Sequence, residues 1–550
     1  MFLAAFLIWP VAQILRGGFV DADGHLTLAY LGAVLTDPTS LRSLGNSLLL
    51  ASATTGLALV IALPLAVVND RYLFPARNSL GSLVLVPMIL PPFVGAIGLK
   101  QVFGQAGALN ALLRHLGWLA PEGTIDWLAL QPFWGVALVQ ALSLFPILYL
   151  NLAAALANLD PALEEAAQNL GCTGLRRFRR ITLPLIRPGL FAGGTVVFIW
   201  AFTELGTPLI FDYDRVVSVQ IYAGLKDIGA NPLPFALVAV VLACSVVLYA
   251  LSKLVFGRES HAMMAKATSV GGARPLPRRQ AWLCTALFLV VAAVALLPHA
   301  GVILVACSHD WYGTFLPERY TLDNFTLALG HDLTVPAIAN SLRFASLSTL
   351  VDLILGVAIA YVVVRSPGRS RHLLDALAML PLAVPGLVLA FGYLAMAQEG
   401  EFFGFLNPTR DPTLLLIIAY SVRRLPYVVR SAAAGFQQTS ATLEEAAQNL
   451  GATPLRSLLR ITLPLISANL IAGGLLAFAF AMLEVSDSLI LAQKQAYYPI
   501  TKAILELFQL LGDGKFLASA LGVWAMVFLG AIIAAAGVVL GRRLGAIFRV

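Results

Sequence analysis

LEEAAQNLGCTGLRRFRRITLPLI, residues 163–186, returns 280 positions later as LEEAAQNLGATPLRSLLRITLPLI, residues 443–466. From Leu163 to Gly194 against Leu443 to Gly474, 23 of 32 positions are identical. Each copy is polar, doubly acidic and helix-forming, and it sits in a chain that is otherwise strongly apolar. Of 550 residues, 59% are apolar and only 12% charged, with a mean hydropathy of +0.84, whereas soluble domains carry about 25% charged residues. That composition excludes a soluble enzyme and identifies a membrane protein.

At about 20 apolar residues per helical span, twelve crossings fit: 1–16, 44–68, 79–102, 130–157, 189–212, 233–256, 281–307, 339–364, 374–397, 413–434, 467–491 and 515–541. Period-two segments of the barrel type are absent, so helices are the remaining way to span a bilayer. The expected fold is therefore all-α and polytopic. The first apolar stretch begins at Met1 without a basic flank, so the expectation is an upstream start or a short first helix. Cys172, Cys244, Cys284 and Cys307 stand singly, with no CxxC spacing, and read as small core residues rather than disulfide or metal partners.

The net charge of +7 matters less than where it lies. Arginines and lysines crowd alternate loops: Arg71 and Arg77; Arg176, Arg177, Arg179, Arg180 and Arg187; Arg258, Lys266, Arg274, Arg278 and Arg279; Arg365, Arg369 and Arg371; Arg456 and Arg460; Arg542, Arg543 and Arg549. Intervening loops such as 21–40 and 308–335 hold few basic groups and several acids. By the positive-inside rule the basic loops are cytoplasmic, and both LEEAAQNLG copies face that side. The charge is spent on orientation, and no nucleic-acid partner is implied.

Weaker repeats extend the duplication. LGNSLLLAS (Asn46, Ser47) answers IANSLRFAS (Asn340, Ser341) at an offset of 294, and LVPMILPPFVGAIG answers MLPLAVPGLVLAFG, pairing Pro87 with Pro381, Pro91 with Pro385 and Gly98 with Gly392. The first half thus carries about fourteen extra residues before the later block, in the outer loop around 103–127. Six spans separate equivalent positions, an even number, so the halves share one orientation: two parallel six-helix repeats about an axis along the membrane normal. The expected organisation is a first repeat at 1–256 with its polar loop at 160–188, a cytoplasmic linker at 257–280, rich in Gly, Pro and basic residues, and a second repeat at 281–550 with its loop at 440–468.

Leu, Glu, Ala and Gln favour helix in LEEAAQNLG. Asp160 or Ser440 stands ahead as a cap, Glu164 and Glu165 or Glu444 and Glu445 complement the dipole, and Gly171 and Gly451 end the turn. Pro184 and Pro464 stand where a helix starts but does not easily continue. A passive connection is the plain alternative, but exposed polar loops ordinarily drift, and two near-identical ones point to an identical partner at each.

The spacing EAA-x3-G-x9-I-x-L-P is met by Glu165, Ala166, Ala167, Gly171, Ile181, Leu183 and Pro184, and again by Glu445, Ala446, Ala447, Gly451, Ile461, Leu463 and Pro464. This resembles the signature of the membrane permeases of bacterial ABC importers, and the two-half length resembles the fused permeases of the ferric iron type. The resemblance implies an inner-membrane subunit whose loops are coupling helices docking two copies of an ATPase subunit, fed by an extracytoplasmic solute-binding protein. ATP and Mg would then be used by the partner, with no cofactor bound by this chain, since no GxxxxGK[ST] loop is present; GDGKF at 512–516 lacks the upstream Gly and the Ser or Thr.

Intramembrane acids are the default pathway candidates, and the repeat pairs Glu204 with Glu484, followed by Thr207 and Asp487. With Thr203 they are read as lining a cation path with no stable metal site. The alternative is that the glutamates end their helices, solvated or paired with Arg215 or Lys494. Hard cations favour carboxylates, which fits ferric iron, while related architectures carry thiamine, phosphonates and polyamines. An ion-coupled secondary transporter also uses parallel six-span halves, but it does not call for duplicated docking loops. A membrane-embedded enzyme would call for paired intramembrane His or Asp motifs, which are not found. At Pro91-Pro92 and Pro385-Gly386 a broken helix and a packing irregularity are both open.

Overall fold

The computed structural model describes residues 1–21, 23–128, 132–227, 231–256, 273–368 and 370–540. Most of the expected linker lies outside that set, as do Arg258, Lys266, Arg369, Arg542, Arg543 and Arg549 of the basic loops. Among the described residues, strands are confined to two short ladders, Tyr72–Leu73 beside Arg274–Pro275 and Ser308–Asp310 beside Arg319–Tyr320. Everything else that is regular is helical.

Among the described residues, seven helices are long and apolar enough to cross a membrane: Pro38–Arg71, Pro132–Ala157, Gly174–Thr203, Leu233–Leu251, Arg278–Ala295, Thr334–Arg365 and Gly514–Ala535. Three helix pairs meet the same length and apolarity only when taken together, each bent at a short break: Arg77–Ile89 with Pro92–His115 at 94°, Ser370–Leu382 with Gly386–Met396 at 102°, and Pro454–Leu465 with Ser467–Met482 at 77°. The two remaining expected spans are also helices. Ala4–Phe19 is short, and Thr413–Gln438 carries Arg423, Arg424 and Arg430 among its 26 residues.

Several segments expected to be continuous are broken. Proline settles two of the breaks. Pro91 removes an N–H and drives Leu90 out of the helical region, to φ −102° and ψ 130°, before the helix restarts at Pro92. Pro385, at φ −59° and ψ 141°, plays the same part before Gly386. Leu90 and Pro91 are buried in protein, where a break in the backbone ladder is tolerated at membrane depth. The expected span 189–212 ends at Thr203 and resumes as Gly206–Ile210, and 467–491 divides into Ser467–Met482 and Ser486–Leu491. The span expected at 281–307 divides at Leu296, ahead of Pro298, into Arg278–Ala295 and Leu297–Ala306. Pro184 does not open a new helix: Gly174–Thr203 runs through it by way of a π turn at Phe178–Thr182. One wide turn ahead of the ring accommodates the missing N–H.

The chain packs as two compact units. One contains Met1–Arg42, Val217–Leu242 and the described chain from Thr321 onward; the other contains Ser43–Val216 and Ala243–Tyr320. In the first unit Thr334–Arg365, Thr413–Gln438 and Ser467–Met482 pack together over a core that includes Ala360, Ala432, Ala433, Phe436 and Ile466. In the second, Pro132–Ala157 is the most enclosed of the long helices and packs against Leu183–Thr203.

Packing thus exchanges a helix between the two sequence repeats. Trp9–Phe19, early in the first repeat, packs on Gly386–Met396 of the second, and Leu297–Ala306 packs on Pro92–Phe103. The paired glycines sit at these crossings. A Cβ on Gly98 would lie 2.3 Å from the Pro298 carbonyl oxygen and 2.6 Å from the Val302 nitrogen; one on Gly392 would lie 2.8 Å from the Pro10 carbonyl oxygen. Backbone meets backbone there, and only glycine allows it.

Candidate functional site

The two LEEAAQNLG segments form short helices, Pro161–Asn169 and Thr442–Asn449. Asp160 caps the first by accepting a hydrogen bond from the Ala162 N–H at 2.9 Å. In the second the Ser440 hydroxyl accepts from the Thr442 N–H at 3.3 Å. Gly171 and Gly451 end them at φ +80° and +88°, in the left-handed region that favours glycine.

The first acid of each doublet is turned inward. Glu164 is ion-paired with Arg71 and accepts from the Thr182 hydroxyl at 2.5 Å, while Arg71 also donates to that hydroxyl at 2.7 Å. Its counterpart Glu444, only 6% exposed, takes the Arg365 guanidinium at 3.3 Å, and Arg365 also donates to the Thr439 carbonyl at 2.8 Å. Arg71 and Arg365 end the helices Pro38–Arg71 and Thr334–Arg365. Each loop helix is therefore tied by its own acid to a membrane-spanning helix. The signal was present in the sequence, because Arg71 and Arg365 stand 294 apart, as Asn46 and Asn340 do.

The second acid faces out. Glu165, Glu445, Ala166 and Ala446 are exposed, whereas Ala167 is buried and Ala447 half-buried, beneath their helices. Beside the exposed acids stand leucines that composition alone did not single out. Leu170 is 88% exposed and Leu450 90%, with Leu163 and Leu443 both at 46%. Burying a leucine against a partner is worth about 1.5–3 kcal/mol, so each loop presents an apolar anchor with an acidic flank. The copies differ at Arg177, which donates to Gln168 at 3.3 Å, and at its counterpart Ser457, which is buried.

The four expected path residues form two unlike groups, each at a helix break. In the first repeat the Glu204 carboxylate accepts from the Thr207 N–H at 2.9 and 3.1 Å and from Gln140 at 3.4 Å, and Gln140 in turn accepts from Thr54 at 3.1 Å. Glu204 so caps the short helix Gly206–Ile210 that follows the break. Thr207 is fully buried, and Thr203 spends its hydroxyl on the Ile199 carbonyl at 3.1 Å.

In the second repeat the group is charged. Glu484, 3% exposed, is ion-paired with Arg424 and lies 3.3 Å from Arg423; Asp487, fully buried, is 3.9 Å from Arg423. The Glu484 carbonyl takes the Ser488 and Thr501 hydroxyls at 2.5 and 2.7 Å, and Tyr420 bonds Ser488 at 2.6 Å. Lys494, which with Arg215 was the partner in the alternative reading of the glutamates, donates to the Arg410 carbonyl at 3.3 Å. Arg423 and Arg424 were the residues missed. They lie in a segment apolar enough to be taken for a plain span, yet intramembrane cations are as telling as acids. Among the described residues no group of His, Cys, Asp and Glu is arranged to hold a metal ion.

Two equivalent loops tied to spanning helices on the basic side, and buried polar groups at helix breaks, define a multi-pass transport subunit of duplicated design. The chain belongs to the family of binding-protein-dependent transport system inner membrane components, whose family model matches it at residues 43–260 and again at 352–545. It is similar to the putative ferric transport system permease protein FbpB 1 of Haemophilus influenzae, 26% identical over 88% of this chain and 75% of that one. It is likewise similar to the ferric transport system permease protein FbpB of Actinobacillus pleuropneumoniae, 25% identical over 88% of this chain and 69% of that one. Over 42% of this chain it is 32% identical to 81% of a probable molybdenum ABC transporter permease of Haloferax volcanii.

Proposed function

We propose that this chain is the two-half permease of an ATP-driven importer, docking two copies of an ATPase subunit at its cytoplasmic loops and receiving substrate from an extracytoplasmic binding protein. The observation that carries this is the pair of anchored loop helices, with Glu164 and Glu444 tied to spanning helices and Leu170 and Leu450 left exposed. A partner gripping Glu165, Ala166, Ala167 and Gly171, or Glu445, Ala446, Ala447 and Gly451, moves Arg71 or Arg365 with the loop. Closure of the ATPase pair is so passed to the membrane helices, and ATP and Mg stay on the partner.

The test is co-purification with a candidate ABC ATPase subunit co-expressed with this chain. The wild-type chain retains it, and Leu170→Asp with Leu450→Asp loses it while the permease remains folded, since both leucines are already in solvent. Retention of the ATPase by that double variant sinks the docking role.

Ferric iron is the substrate that the two relatives matched along most of the chain support. Uptake of radiolabelled ferric iron that survives in Glu204→Gln with Glu484→Gln would remove those acids from the path. A second reading is an oxyanion, favoured by the buried Arg423 and Arg424 and by the molybdenum-type relative; competition of iron uptake against molybdate separates the two.

A further inference from the structure

Past each break, the outer loops fold into short helices, Val217–Ala223 and Ile500–Phe508. These are counterparts. Asn46 donates to the Arg215 carbonyl at 2.9 Å, just ahead of the first, and Asn340 donates to the Ala496 and Tyr498 carbonyls at 2.9 and 3.2 Å, just ahead of the second. Ser341, paired with Ser47 in the repeat, accepts from the Ile500 N–H at 2.7 Å.

The two counterpart helices belong to the same compact unit and touch each other. Lys502, 7% exposed, donates to the Tyr222 hydroxyl at 3.3 Å. Its ammonium lies 5.8 Å from the Tyr222 ring centre and 5.5 Å from that of Tyr498, and Glu506 sits 3.1 Å away, one turn on. A cation held over two rings and beside a carboxylate is a specific contact, not a chance approach. In a molecule of two repeats about one axis, an element meets its own counterpart only at that axis. The route between two parallel halves runs along the same axis.

We propose that the Tyr222–Lys502 contact closes the translocation path at its outer end, so that these two residues are the first that a delivered substrate passes. This rests on the importer function proposed above. It follows that Tyr222 and Lys502 separate during the cycle, and that Lys502 then exchanges Tyr222 for water or substrate.

The test uses the permease–ATPase complex in proteoliposomes, with Cys172, Cys244, Cys284 and Cys307 replaced by alanine. Lys502→Cys and, separately, Tyr222→Cys are exposed to an impermeant maleimide from the outer side, without nucleotide and after trapping with ATP and vanadate. The expected result is labelling at least several-fold faster in the trapped state at both positions. In the double variant, a reducible bifunctional methanethiosulfonate linker is expected to stop ATP turnover until reductant is added. Equal labelling in both states, or turnover indifferent to the linker, overturns the gate while leaving the permease intact. If no ATPase is retained at all, the importer reading fails and the gate falls with it, a result visible before any labelling.

Discussion

Glu164 and Glu165 are neighbours in the chain with opposite tasks. Breaking a buried ion pair by removing one partner costs about 3–5 kcal/mol, and Glu444, at 6% exposure, approaches that case. Glu444→Ala is therefore expected to lower the thermal midpoint of the detergent-solubilised chain and to weaken ATPase retention, whereas Glu445→Ala weakens retention with the midpoint unchanged. Equal midpoints for the two variants would mean that the pair with Arg365 does not anchor the loop. The same rule applies in the membrane. Arg424→Met leaves Glu484 with Arg423 alone and is expected to cost about 3–5 kcal/mol, while Arg424→Met with Glu484→Leu is milder, because both charges leave together; thermal unfolding of the two variants checks the order. The sequence singled out the doublet and named Glu165 and Glu445 for docking, but it did not show that Glu164 and Glu444 anchor the loops. Which of two adjacent acids turns inward depends on where Arg71 and Arg365 arrive, and that is a tertiary fact.

At the scale of elements, twelve helical segments were legible because a bilayer demands about 20 apolar residues wherever the chain crosses. Their continuity was less so. At Pro91 and Pro385 a break was one of two open readings, since proline cannot donate to the ladder. The breaks at Glu204 and Glu484 were not legible: Pro208 sits in the opening turn of Gly206–Ile210, where a helix tolerates it, and the Glu204 carboxylate accepts from the Thr207 N–H in that turn. Packing partners were illegible, because periodicity says which face is apolar and not what covers it. The paired glycines make this testable. Gly98→Ala places a methyl 2.3 Å from a backbone oxygen and is expected to cut the yield of folded protein, as overpacking costs about 1–3 kcal/mol or more. Gly194→Ala, whose new methyl meets nothing nearer than 3.9 Å, is expected to be neutral or stabilising by up to about 1 kcal/mol. Size-exclusion profiles of the two variants decide it.

For the whole molecule, repetition and packing follow different boundaries. The repeat divides the chain near the expected linker, but Trp9–Phe19 packs with Gly386–Met396 and Leu297–Ala306 with Pro92–Phe103. A chain severed between residues 257 and 280 is expected to yield halves that do not fold when made singly and that co-purify when made together; a stable, monodisperse half produced without the other would contradict the exchange.

That exchange also sets a timetable for synthesis. Pro10 waits for Gly392, about 380 residues later, and at ribosomal rates of about 5–20 residues per second that is on the order of 20–80 s. Throughout this interval Trp9–Phe19 is expected to lack the helix it packs on, Gly386–Met396. The lifetime of a nascent chain stalled before residue 386, compared with one stalled after 396, would measure that window directly.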